Sequence, residues 1–210
     1  MELLIGSQNF GYSTPESDKD WMQFVYPTWS DILNNNMTSK ENILSDNTHV
    51  KIYDIRLINK IIWDAHISSL QFMFSTEYHD CDDLKWFIEN RDRLCRVSIS
   101  RAFKCNTSNM IRDLNKKHDA KTLTRAFVFK NILNQFVSDS SISFYIPSAY
   151  EYRINALGMS EEQLIIERDY YIEWFTKMKE NANEFKQLED HSIMRDAERE
   201  ILRLIKLRLV

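Results

Sequence analysis

The 210-residue chain is short of glycine, proline and cysteine, with three of each. So few breakers exclude a disordered or collagen-like chain and predict much helix. Cys81, Cys95 and Cys105 are an odd number without Cys-x-x-Cys spacing, which suggests neither a disulfide framework nor a zinc site. The expectation is reduced, cytosolic thiols. No apolar run approaches the roughly twenty residues of a membrane span, and Met1-Glu2-Leu3-Leu4-Ile5 lacks the charged start and long apolar centre of a signal peptide. The expected protein is soluble, unprocessed and cytoplasmic, with no membrane partner. An apolar fraction of 43% is enough for a folded core, and the length suits one compact unit with a helical annex.

A net charge of −4 argues against a protein that coats duplex nucleic acid, yet the charge is segregated. Lys85 to Lys130 holds 12 Lys and Arg against 4 Asp and Glu, a local +8 that leaves −12 on the remainder. Such a basic belt can hold a triphosphate or an RNA backbone; solvated helix faces account for it equally well.

Two of the three glycines lie five apart, in Gly6-Ser7-Gln8-Asn9-Phe10-Gly11, directly after the apolar run Leu3-Leu4-Ile5. Gly6 after a strand suits a tight strand-to-helix turn, where positive φ or close backbone approach is needed, and Ser7 can offer a hydroxyl and an N–H. Asp18 and Asp20 follow. If Ser17 to Tyr26 is a strand, both carboxylates leave one face of the sheet, and two like charges so close invite a divalent cation. Alone, an Asp-x-Asp also reads as a solvated turn.

The combination is more specific than either half. It resembles the DNA polymerase β-like nucleotidyltransferase superfamily, in which a Gly-Ser turn precedes an Asp-x-Asp strand. Gly6-Ser7-Gln8-Asn9-Phe10-Gly11 with Pro15-Glu16-Ser17-Asp18-Lys19-Asp20 is similar to the predicted nucleotidyltransferases of bacteriophages and bacteria, which open Gly-Ser-x-Asn-Tyr-Gly and continue Glu-Ser-Asp-x-Asp. The resemblance spans Leu3 to Arg125 with decreasing force. It implies a third carboxylate on a neighbouring strand ending in Tyr-Asp-Ile-Arg, a role that falls to Asp54 in Tyr53-Asp54-Ile55-Arg56; a helix N-cap acid is the competing reading, and Asp64 and Asp46 are weaker substitutes. The chain departs from the family between Leu57 and Glu77, where an Asn and a Glu give way to Ser68 or Ser69 and Gln71. Asp119 and Lys121 match the family's Asp-Pro-Lys-His-x-x-His helix, with the histidines replaced by Thr122 and Arg125. With Asp119 as cap, Lys121 and Arg125 share a helix face and would bind the triphosphate; a solvated charged face is the alternative.

The resemblance thus implies two Mg²⁺ or Mn²⁺ ions on Asp18, Asp20 and Asp54, an NTP donor with ATP expected, and phosphates cradled by Gly6 and Ser7. Nucleotidyl transfer to an acceptor hydroxyl would follow, with an RNA 3′ end such as tRNA as first acceptor and a protein side chain as second. A nucleotide- or partner-binding protein without turnover is the other class. The expected fold is α+β: a small mixed β-sheet catalytic core over residues 1–80 and a mainly helical region, 81–210, closing the cleft. Expected strands run near Leu3 to Ile5, Asp18 to Tyr26 and Val50 to Asp54, with the polar stretch from Asn34 to Asn47 read as a loop and room for a fourth strand hidden elsewhere. Ser160 is expected to cap a helix, and the C-terminal helices to pack on the basic middle or on a second copy as a homodimer.

Overall fold

The computed structural model describes residues 1–44, 48–79, 81–138 and 141–209. The chain opens with strand β1, Glu2–Ile5, whose last three residues are buried. Gly6 turns it into the single-turn helix α1, Ser7–Phe10, which Gly11 ends in the left-handed region at φ 83°. Strand β2, Asp20–Val25, follows a loop and leads through Pro27 to α2, Trp29–Leu33. Thr28 caps α2 in a capping box with Asp31.

Strands β3, Ser39–Ile43, and β4, His49–Asp54, then form an antiparallel pair. β3 is the fourth strand, found in the segment read as a loop. Every one of its residues is exposed, so no apolar alternation betrays it, and its order comes from pairing with β4 alone. Helices α3, Ile58–Asp64, and α4, Ile67–Leu70, precede the short β5, Tyr78–His79. The sheet has five strands in the order β3-β4-β2-β1-β5; β2 and β4 are parallel and the other pairs antiparallel. The fold is α+β, as expected.

Helical elements follow: α5, Lys85–Glu89; α6, Arg91–Cys95; α7, Ile99–Lys116; α8, Ala120–Phe136; α9, Ala149–Leu157; α10, Glu161–Glu180; and α11, Met194–Leu209. The Asp119 carboxylate accepts the Thr122 N–H at 2.7 Å and starts α8 as a local cap should, and Ser160 starts α10 in a capping box with Gln163. α10 packs on α7 and α8, the basic middle, while α11 returns to α3. There Arg208 pairs with Asp83 at 3.0 Å and lies over the ring of Tyr26, tying the last helix to the sheet.

Register decides which face of the sheet is the interior. Leu3 lies opposite Met22 and Ile5 opposite Asp20, so Leu3, Ile5, Met22 and Phe24 share one face, which the helices cover; Phe24 meets Phe72 edge-on. One core cluster runs from Leu3 through Phe103, Leu123 and Phe144 to Leu204, spanning both the 1–80 and 81–210 segments. Asp20 sits at the end of the helix-facing stripe, on the same parity as Met22 and Phe24. Its carboxylate is therefore drawn toward the interior.

Candidate functional site

At that end of the sheet lies a cleft of about 360 Å³, floored by the β1–α1 turn and β2 and walled by α7 and α8. Gly6, Ser7, Asp18, Asp20, Lys121 and Arg125 all line it. Six of the seven residues singled out in the sequence are thus brought together by four separate elements.

Gly6 occupies φ 79°, a region costly for residues with a Cβ, and its N–H donates to Oε1 of the buried Gln71 at 2.7 Å. Gln71 in turn donates Nε2–H to the Ser68 carbonyl at 3.1 Å. Gln71 is therefore a fastener between α4 and the glycine turn. Gly6 cannot offer its N–H to a phosphate, and that part of the cradle falls to Ser7.

Asp20 opens β2, and Asp18 stands in the loop just before it, so the two carboxylates share the cleft without both lying in a strand. Burial raises the Asp20 pKa above the ordinary carboxylate value; Lys51, His49 and Lys121 oppose that shift, and Asp18 adds to it. The loop carrying Asp18 is held by α9: Arg153 donates to the Tyr12 carbonyl at 2.7 Å. Tyr12 itself is buried, and desolvation pushes its phenol up to about 12.

On the opposite wall, Lys121 and Arg125 lie one turn apart on α8, as their spacing predicts. Arg125 donates Nη2–H to Asp113 of α7 at 2.6 Å, while Lys121 is exposed in the cleft. Asn106 of α7 fixes a third side, donating to the Ala65 carbonyl at 2.8 Å and accepting the Ile67 N–H at 3.0 Å. This holds the α3–α4 turn, and with it His66 and Ser68, at the cleft edge.

Asp54 is not brought to the cleft. In the parallel pair, His49 lies opposite Asp20 and Asp54 opposite Val25, so Asp54 stands five residues along, roughly 16 Å away. Five is an odd number, so its side chain also leaves the other face of the sheet. It is buried, caps the turn after β4 through the Arg56 N–H at 2.9 Å, and binds the Arg56 guanidinium at 2.9 and 2.6 Å. The expectation of Asp54 as third metal ligand is corrected accordingly: it is the N-cap acid of the competing reading, neutralised by Arg56. Asp64, on α3, is paired with Lys60 and with Arg101 of α7, outside the cleft lining, and Asp46 lies outside the described residues. Among the described residues no group of three or more His, Cys, Asp and Glu side chains could hold a metal.

The β4 side chains that act on Asp20 are instead those of His49, opposite it in register, and, one step along the same face, Lys51. Lys51 pairs with Met22 in register and projects from the face that carries Asp20 into the cleft. Sequence reasoning missed Lys51, Gln71, Asp113 and Arg153. Alternation of His49, Lys51 and Tyr53 marks them as one face, but only the β2–β4 register reveals that the face is Asp20's. Nothing local marks Arg153, which is 141 positions from its partner. Tyr152 packs on Phe127 at 4.6 Å and donates to Glu167, a packing role.

Among the described residues no helix is long and apolar enough to cross a membrane. No protein-family model, curated protein or solved structure matches the chain.

Proposed function

We propose that this chain is a metal-dependent nucleotidyltransferase of the polymerase β-like kind, moving a nucleoside monophosphate from an NTP to an acceptor hydroxyl. The observation that carries the reading is the seating of Asp20 against the Gly6 turn, beside Asp18, in a cleft whose far wall presents Lys121 and Arg125. The donor set fits one Mg²⁺ or Mn²⁺ rather than two. Magnesium is commonly held by one or two carboxylates together with substrate phosphates, and Asp18 and Asp20 supply those two. Bound there, the cation would polarise the α-phosphate and offset charge on the acceptor oxygen.

The chain's own groups have separable tasks. Ser7 offers its N–H and hydroxyl to phosphate oxygens, and Gln71 holds the turn that presents them. Lys121 and Arg125 attract the β- and γ-phosphates; Arg125 keeps a buried Nε–H without a hydrogen-bond partner among the described residues, a donor left for an anion. Lys51 adds a positive charge beside Asp20 where a second carboxylate-bound cation would otherwise serve. The acceptor oxygen attacks the α-phosphorus, its proton passes to water, and pyrophosphate leaves. ATP is the proposed donor and an RNA 3′ end such as tRNA the proposed acceptor, on the strength of the basic middle segment, with a protein hydroxyl second.

A second reading, nucleotide binding without turnover, is favoured by one specific observation: Asp54 is locked to Arg56 away from the cleft. Transfer of label from each α-labelled NTP to total RNA, total protein and the enzyme itself separates the two. Label in one fraction, absent from an Asp18→Asn, Asp20→Asn double variant, is the expected result. Nucleotide binding with no transfer to any fraction would select the second reading.

A further inference from the structure

The cleft has a direction. At one end it continues into a basin of about 340 Å³ that shares Lys121 and Arg125 and adds Lys116 and Lys117. Asp18 and Asp20 line the cleft but neither of the two spaces that adjoin it. At the other end His66 lines both the cleft and a second pocket of about 280 Å³. The walls of that pocket are different in kind: the Tyr53 ring on β4 and the aliphatic Leu57 and Ile61, edged by Ser39, Ser69 and His66. Its two charged side chains, Lys60 and Asp64, pair with each other, and Asp64 also pairs with Arg101.

A nucleoside triphosphate has the same polarity: polyanion, α-phosphate, sugar, flat heterocycle. We propose that the pocket of Tyr53, Leu57 and Ile61 receives the nucleobase of the NTP, with the triphosphate running through the cleft toward Lys121. This rests on the nucleotide-binding reading above and gives it an orientation. Tyr53 lies on the face of β4 that also carries Lys51 and opposes Asp20, four residues along from His49, or roughly 13 Å at strand rise. That is within reach of an extended nucleotide. Phe24 backs the Tyr53 ring at 6.2 Å between centroids and keeps it in place. Aliphatic side chains on one side and an aromatic ring on another suit a heterocycle's faces, and the Ser and His side chains suit its polar edge.

The test is calorimetry with ATP, GTP, CTP and UTP in turn, and with inorganic tripolyphosphate, all in Mg²⁺. It is run on the wild type, on Ser69→Trp, which fills the pocket from α4, and on Tyr53→Leu, which removes the ring and keeps an apolar side chain. At least one NTP is expected to bind the wild type about fivefold or more tighter than tripolyphosphate, the increment of one stacked base. Both variants are expected to lose that advantage while tripolyphosphate affinity stays unchanged. An advantage that survives in Tyr53→Leu overturns the pocket assignment and leaves the triphosphate site standing, as does a wild type that binds NTP and tripolyphosphate equally. Equal loss of both ligands in a folded variant overturns it too. A wild type that binds neither ligand overturns the nucleotide reading itself. Should Ser69→Trp fail to fold, Tyr53→Leu decides.

Discussion

A Cβ placed on Gly6 would stand 2.2 Å from Oδ2 of Asp20. The two halves of the sequence motif, fourteen positions apart, are thus one steric unit: the glycine leaves the space that the carboxylate fills. Gly11 is under a similar backbone constraint, at φ 83° with a Cβ that would meet the Tyr145 ring at 2.9 Å, but it does not touch the carboxylates.

That pair of glycines makes the first prediction. Gly6→Ala and Gly11→Ala should each destabilise the fold by about 1–3 kcal/mol, the cost of a residue with a Cβ held in a sparsely populated region. Only Gly6→Ala should also displace Asp20. Thermal unfolding with and without Mg²⁺ and NTP is the check: the ligand-induced rise in Tm should persist in Gly11→Ala and vanish in Gly6→Ala.

Asp20 carries the second. Its pKa is raised in the folded protein, chiefly by desolvation, so between its unfolded and folded values the native state holds the extra proton. Stability must therefore fall as pH rises through that window and stay lowered above it. Asp20→Asn should raise the Tm of the ligand-free protein at pH 7 and flatten its pH dependence above the ordinary aspartate pKa of about 4, while abolishing both transfer and the stabilisation by Mg²⁺. A variant that lost activity and stability together would show that Asp20 is held by partners rather than strained by burial.

Asp54 is predicted to behave in the opposite way. It is buried against Arg56, and removing one partner of such a pair leaves an uncompensated charge, at a cost of about 3–5 kcal/mol. Asp54→Ala should therefore lower stability sharply and leave the affinity for Mg²⁺ and NTP unchanged in the folded fraction. Loss of Mg²⁺ affinity in a folded Asp54 variant would restore the third-ligand role that register removes.

Gln71 carries the fourth prediction, at a position where the resembled nucleotidyltransferases have a Glu. Gln71→Glu keeps an acceptor for the Gly6 N–H but, when ionised, loses the donor to Ser68 and adds buried negative charge in the cleft that already holds Asp18 and Asp20. Its folded pKa should lie above the usual glutamate value, so the variant should be near wild-type stability in acid and lose about 1–3 kcal/mol as pH rises toward 7. Denaturant titration at pH 5 and pH 8 measures the difference. Equal stability at both pH values would mean that the cleft tolerates a third carboxylate without a bound cation.

What could be read from the sequence is what depends on near neighbours along the chain. The caps at Thr28, Asp119 and Ser160 each join residues three apart, and all three form as the sequence implies. The apolar run of β1, the helical middle and the placing of Lys121 and Arg125 on one face follow from periodicity, which is equally local. Tertiary structure decided the rest. Alternation within β4 says that His49, Lys51 and Tyr53 share a face, but which of them stands beside Asp20 is a property of the β2–β4 register and of two segments at once. The register puts His49 and Lys51 where the sequence suggested an acid, and five residues of offset send Asp54 to Arg56. β3 has no buried face to leave a pattern, and Gln71 and Arg153 reach the site from 65 and 141 positions away. A side chain's local pattern reports the face it leaves from; what it meets there is set only when the sheet and the helices over it have closed.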